Sequence, residues 1–93
     1  MAYLPGDPVR VRVRRRERRI LVTDDGAAVA RAGRPPGWRD RAAEVIAEAD
    51  LNLAREGAVF VPAVEDGLPV DGLVTRVAET SLAVYQELLE LEE

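Results

Sequence analysis

Six residues near the N-terminus constrain this chain more than any others. Val9, Val11 and Val13 alternate with Arg10, Arg12 and Arg14. Side chains on a strand point to opposite faces in turn. Period-two alternation of β-branched and charged residues therefore predicts a half-buried strand with its valines inward. Arg15 to Arg18 follows as a polar reversal without Gly or Asn. A favoured two-residue primed turn needs such a residue, so a longer loop is expected. Arg19 to Thr23 reads as the return strand, with Ile20 and Val22 on one face and Leu21 on the other. The pair should form a β-hairpin with a strongly basic tip.

Asp24-Asp25-Gly26 ends that strand. Aspartates at such a place bond the backbone ahead of them and cap a following helix. A short helix is expected over Ala27 to Ala32, with Gly33 in the position after its cap. Arg34-Pro35-Pro36-Gly37 is a rigid connector. Trp38 to Asp50 reads as an amphipathic helix. Its stripe is Trp38, Ala42, Val45, Ile46 and Ala49, with Arg41, Glu44 and Glu48 off it. Leu51 to Ala54 and Ala58 to Val64 flank Arg55-Glu56-Gly57 and make a second hairpin. Pro62 lacks an N–H, which assigns it an edge position or a strand's end. Glu65 to Gly72 should be a loop, with Asp71 capping a final helix over Gly72 to Leu91. That helix carries Leu73, Val77, Val84, Leu88 and Leu91 as one stripe, widened by Val74, Leu82, Tyr85 and Leu89. So broad an arc covers more than one neighbour, either a sheet plus a helix or a partner subunit.

The resulting order is β-β-α-α-β-β-α. Strands and helices are segregated and no βαβ crossover occurs. The expected class is α+β, two antiparallel β-hairpins packed with two or three helices. At 93 residues the chain is one small domain spanning 1–93.

Charge is unevenly placed. Net charge is −4, yet residues 1–41 hold eleven Arg against five acids, and residues 42–93 hold two Arg against twelve acids. The halves therefore carry +6 and −10. Seven Arg lie between Arg10 and Arg19, with one acid, Glu17, among them. Asymmetry of this kind hints at a nucleic-acid or other anionic partner, and equally at a domain with one basic and one acidic face.

The missing residue types argue against most catalysis. With no Cys there is no thiolate nucleophile, no disulfide and no Cys-ligated metal site. With no His there is no imidazole ligand and no ordinary general base near neutral pH. All thirteen basic residues are Arg, so Schiff-base chemistry and a phosphate-loop lysine are absent too. Ser81 is the one serine, placed in a helical segment with no base beside it in sequence. Carboxylates, Arg and two Tyr remain, which leaves a carboxylate-bound Mg²⁺ site or a two-carboxylate hydrolase as the enzymatic alternatives. The expectation is a protein that is not an enzyme and uses no cofactor. No basic segment followed by an apolar stretch marks a secretory signal, and the longest apolar run, Ala58 to Val64, is too short to span a membrane. A cytoplasmic protein is expected. An all-Arg, Ala- and Val-rich composition also matches GC-rich coding.

The segment Gly6-Asp7-Pro8-Val9-Arg10-Val11-Arg12-Val13, followed by Ile20-Leu21-Val22-Thr23-Asp24-Asp25-Gly26, resembles a small bacterial family of domains of unknown function. Its pattern runs acid, alternating strand, loop, strand, Thr-Asp-Asp-Gly, short helix and Gly. The similarity continues through the helix from Trp38, the strand around Val59-Phe60-Val61 and the terminal helix. It implies a small bacterial protein, sometimes associated with mobile elements or phage. It carries no activity and no functional residue.

Two candidate sites emerge. Arg10, Arg12, Arg14, Arg15, Arg16, Arg18 and Arg19 form a basic ribbon. A two-stranded ribbon fits the major groove, and Arg suits bidentate contact with phosphate or guanine. The competing reading is a solvated edge, with Arg stems over apolar surface and heads paired to the domain's own acids. Trp38 is a candidate partner anchor, since Trp is enriched at interface hot spots, or else a core residue. Thr23-Asp24-Asp25-Gly26 offers too few ligands for a metal and reads as a cap. The favoured function is a regulatory or protein-interaction module, self-association as a homodimer included. Nucleic-acid binding through the Arg hairpin is the alternative.

Overall fold

The two expected hairpins join edge to edge into one sheet. The computed structural model describes residues 1–64 and 70–91. After a small two-stranded sheet of β1 (Ala2–Leu4) and β2 (Asp7–Pro8) come β3 (Arg12–Arg16) and β4 (Arg19–Thr23). Helices α1 (Ala27–Arg31) and α2 (Trp38–Glu48) follow, then β5 (Asn52–Leu53), β6 (Val59–Val64) and α3 (Val70–Glu90). The larger sheet has the order β3-β4-β6-β5 and is antiparallel throughout. The class is α+β, as the segregated pattern predicts.

Register decides which residues share a face. Val13 lies opposite Val22, and Val22 opposite Val61. Arg15, Ile20 and Ala63 line up in the same way. This inner face meets the helices. Ile20, Val22 and Val59 are buried in one core with Val29, Ile46, Val77, Val84 and Leu88. Val9, Val11 and Val13 pack against its margin. The helix faces follow their stripes: Ala42 and Ile46 of α2 are buried, while Glu44 and Glu48 are exposed. Most of the wide arc of α3 packs within the chain, against α1, α2, β1, β4 and β6, while Leu89 at its margin is exposed. Two polar residues, Thr80 and Ser81, are buried on that same arc.

The hairpin tip differs from expectation. Arg16 pairs with Arg19, so only Glu17 and Arg18 turn the chain, without Gly or Asn. Glu17 takes φ 57 to allow it. The apolar alternation on both strands sets the register, and the turn must then adopt the left-handed conformation that Glu disfavours. The final helix also starts earlier than expected. It begins at Val70, so Asp71 is a first-turn acid favoured by the helix dipole and not the cap. The expected loop at 65–69 lies outside the described residues. Helix α1 ends as its glycine predicts: Gly33 has φ 78, its N–H donates to the Ala30 carbonyl and the Arg34 N–H to that of Val29. That is a Schellman closure. Helix α2 closes in the same way, with Asp50 at φ 59 where Gly is usual.

Pro62 sits inside β6, opposite Leu21. Arg16 and Arg19 flank the turn as a hydrogen-bonded pair, and bonding then alternates along the strands. Pro62 consequently points its nitrogen away from β4. On that side β5 pairs only with Val59 and Phe60 and has already ended. The missing N–H therefore faces a side of β6 that no described strand pairs with, in keeping with the sequence reading.

Candidate functional site

The outer face of the sheet is where the basic residues gather. Arg12, Thr23 and Phe60 form one row across the strands, Arg14, Leu21 and Pro62 the next, and Arg16, Arg19 and Val64 the last. Among the described residues no helix covers this face, because all three pack on the other side. Leu21 and Phe60 are half-buried, Pro62 is exposed and Val64 is 53% exposed. Two shallow clefts of about 260 and 320 Å³ meet at Arg14 and Leu21. The first reaches Asp25 and Glu56, the second Arg16 and Arg19. The surface thus has an apolar column along β4 and β6 and a cationic column along β3.

The seven arginines do not act alike. Asp25 takes both Arg12, at 3.1 Å to Nε, and Arg14, at 3.1 Å to Nη2. These pairs are exposed, so each stabilises the fold weakly. Arg15 has the inner-face parity, though its side chain is exposed at the strand's end. Arg10 precedes β3. Arg10, Arg16, Arg18 and Arg19 make no ion pair with the described residues. Arg12 and Arg14 thus meet the chain's own acid, as the solvated-edge reading expects, while Arg10, Arg16, Arg18 and Arg19 are exposed.

The adjacent aspartates part company. Asp25 has φ 57 and Gly26 φ 80, a backbone twist that turns one carboxylate out and the other in. Asp24 is 3% exposed. Its Oδ1 accepts the N–H groups of Gly26 and Val59, each at 2.8 Å. Its Oδ2 accepts the Ser81 hydroxyl at 2.6 Å. Ser81 has a single proton and gives it to Asp24, so the Tyr3 hydroxyl, 2.5 Å away, donates to Ser81. This buried chain ties β1, α3, β6 and the turn after β4 together. Helix α1 begins after Gly26 with no side-chain cap, which corrects the capping assigned to the aspartates. Asp24 instead forms an Asx-type bond two residues ahead and braces β6.

Around Tyr3 the packing is equally specific. Its ring meets Tyr85 edge-on at 5.2 Å between centroids, and the Arg31 guanidinium lies 4.8 Å from its ring centre. Arg31 makes two hydrogen bonds to Asp7, at 2.7 and 3.0 Å. That contact holds the Asp7 carboxyl below its usual range and raises Arg31. Burial lifts the Tyr3 phenol above its ordinary 10.0; the Asp24 charge adds to this, while the Ser81 bond and Arg31 oppose it. Sequence reasoning missed this cluster, since Tyr3 and Ser81 are 78 residues apart.

Trp38 opens α2, partly buried against the core, with the Arg39 guanidinium 4.6 Å from its ring centre. It sits in the helix layer, apart from the arginine face. Among the described residues no three carboxylates gather into a metal-binding group. Both oxygens of Asp24 are already engaged by protein donors, and Asp25 is turned to arginines. No described helix is long and apolar enough to cross a membrane. Comparison with family models, curated proteins and solved structures finds no match.

Proposed function

We propose that this protein is a non-enzymatic interaction module that receives an acidic, partly apolar surface of another protein on the outer face of its sheet. One observation carries the reading. Leu21, Phe60, Pro62 and Val64 form an apolar column directly beside Arg16 and Arg19; among the described residues nothing covers the column and neither arginine has an ion partner. Apolar surface rimmed by Arg is characteristic of protein interfaces, and large uncovered apolar faces are otherwise avoided. The buried Ser81 and its partners Asp24 and Tyr3 support a structural role for the one serine.

The test is a titration of the full chain with an acidic peptide bearing leucines. Arg16→Glu with Arg19→Glu should weaken binding by at least about tenfold. Equal affinity for the variant removes the reading. The nucleic-acid alternative draws on Arg16, Arg18 and Arg19 at the tip and lacks interleaved aromatics, Phe60 being the one ring on this face. It expects a gel shift at low salt that fades steeply as salt rises. The absence of a shift at low salt ends it.

A further inference from the structure

We infer that the free edge of β3 takes a fifth strand, an extended partner segment with acidic residues at alternate positions. The inference rests on the interaction reading above and names its recognition mode. β3 is the outermost strand of the larger sheet, and β4 is its one hydrogen-bonded neighbour among the described strands. The two-residue turn fixes which backbone groups face out. Arg16 and Arg19 are a hydrogen-bonded pair, so Arg14 and Arg12 also bond to β4, while Val13 turns its N–H and carbonyl to the open side. Open edges of this kind recruit strands by main-chain pairing.

Natural edges are blunted by short length, proline, bulges or charge. β3 has five residues, no proline and an unbroken register with β4. Among the described residues its protection is charge, and of one sign. Arg12, Arg14 and Arg16 line the outer face of the edge. Pairing of β3 with β3 of a second copy would bring arginines opposite arginines, which destabilises a ladder. An acidic strand meets the opposite condition. Its acidic residues would have Cβ atoms roughly 5 Å from those of the arginine column, within reach of an ion pair, and its apolar residues would flank Val13 on the inner side. Arg12 and Arg14 now share Asp25, and as exposed pairs they exchange readily for an incoming carboxylate. The edge therefore excludes its own copies and admits a strand of alternating acid and apolar residues.

The probe is a capped peptide of alternating Glu and Val, titrated into the full chain by calorimetry. It is compared with a version N-methylated at every second residue in each phase, and with one carrying Lys for Glu. Methylation keeps charge but removes ladder donors. The inference expects binding of the parent peptide, loss of at least about tenfold in affinity in one methylation phase, and no binding of the Lys version. Val13→Pro should abolish binding while the far-ultraviolet spectrum stays native, because that N–H is not in the β3–β4 ladder. If this variant fails to fold, the methylated peptides decide. Equal binding of parent and both methylated peptides overturns the fifth strand and leaves the docking face standing. Binding of an acidic helical peptide alone has the same meaning. Failure of every acidic peptide to bind overturns both.

Discussion

Replacing Asp24 with Ala removes the one acceptor shared by three buried donors. The Gly26 and Val59 N–H groups lose partners at 2.8 Å, and the Ser81 hydroxyl loses one at 2.6 Å. Each buried polar group left without a partner costs about 1–3 kcal/mol. Loss of the carboxylate also relieves its own desolvation, which offsets part of that sum. A net loss of about 3–5 kcal/mol is expected, against roughly 5–14 kcal/mol for a domain of this length. The midpoint temperature should fall by roughly 15–30 °C. Urea unfolding followed by circular dichroism measures this, provided the slope with denaturant stays that of the parent. Asp24→Asn keeps the acceptor at Oδ1 and should cost less, about 1–2 kcal/mol, since Ser81 must then reverse its bond. Ser81→Ala should fall in the same range. An Asp24→Ala variant within about 1 kcal/mol of the parent would refute the claim that this carboxylate braces the turn, β6 and α3 together.

Gly57→Ala places a Cβ 3.0 Å from Val29 Cβ and Cγ1 at φ 103, so a loss of about 1–3 kcal/mol is expected in the same urea assay. The buried Tyr3 phenol has a folded pKa above 10.0. Its contribution is therefore complete below pH 10.0 and is lost as pH rises through the folded value. Alkaline unfolding should set in at higher pH for Tyr3→Phe than for the parent, with the Tyr3 component missing from the spectrophotometric titration. Asp25→Ala leaves Arg12 and Arg14 without their shared acid. Stability should change by less than about 1 kcal/mol, while affinity for an acidic peptide rises.

The strands of the main sheet were legible because Val13, Ile20 and Val22 keep period two, although β3 begins only at Arg12 and leaves Val9 and Val11 before it, and α2 because Ala42, Val45 and Ile46 keep a helical stripe. What was not legible has physical causes. The tight turn at Glu17 and Arg18 runs against local preference, because the registers of both strands override it. β1 and β2 carry no alternation, and pair through a short reversal at Pro5 and Gly6. Asp24 and Asp25 are identical in type and adjacent, yet a left-handed residue sends them to opposite sides. The apolar stripe of α3 carries Ser81 between Val77 and Val84, but it gives no sign of the partners Ser81 meets, Tyr3 in β1 and Asp24 after β4. The Arg hairpin was found by its charge. The apolar column beside it was not, because Leu21, Pro62 and Phe60 share a face only once β4 and β6 pair.

The central claim is that the outer sheet face receives the partner. Amide chemical-shift mapping of the full chain during titration with the acidic, leucine-bearing peptide tests it directly. The account predicts that the shifts concentrate at Arg14, Arg16, Arg19, Leu21, Phe60 and Val64, with α2 and α3 unmoved. Shifts confined to the α2–α3 surface, or no saturable shifts at all, would contradict it.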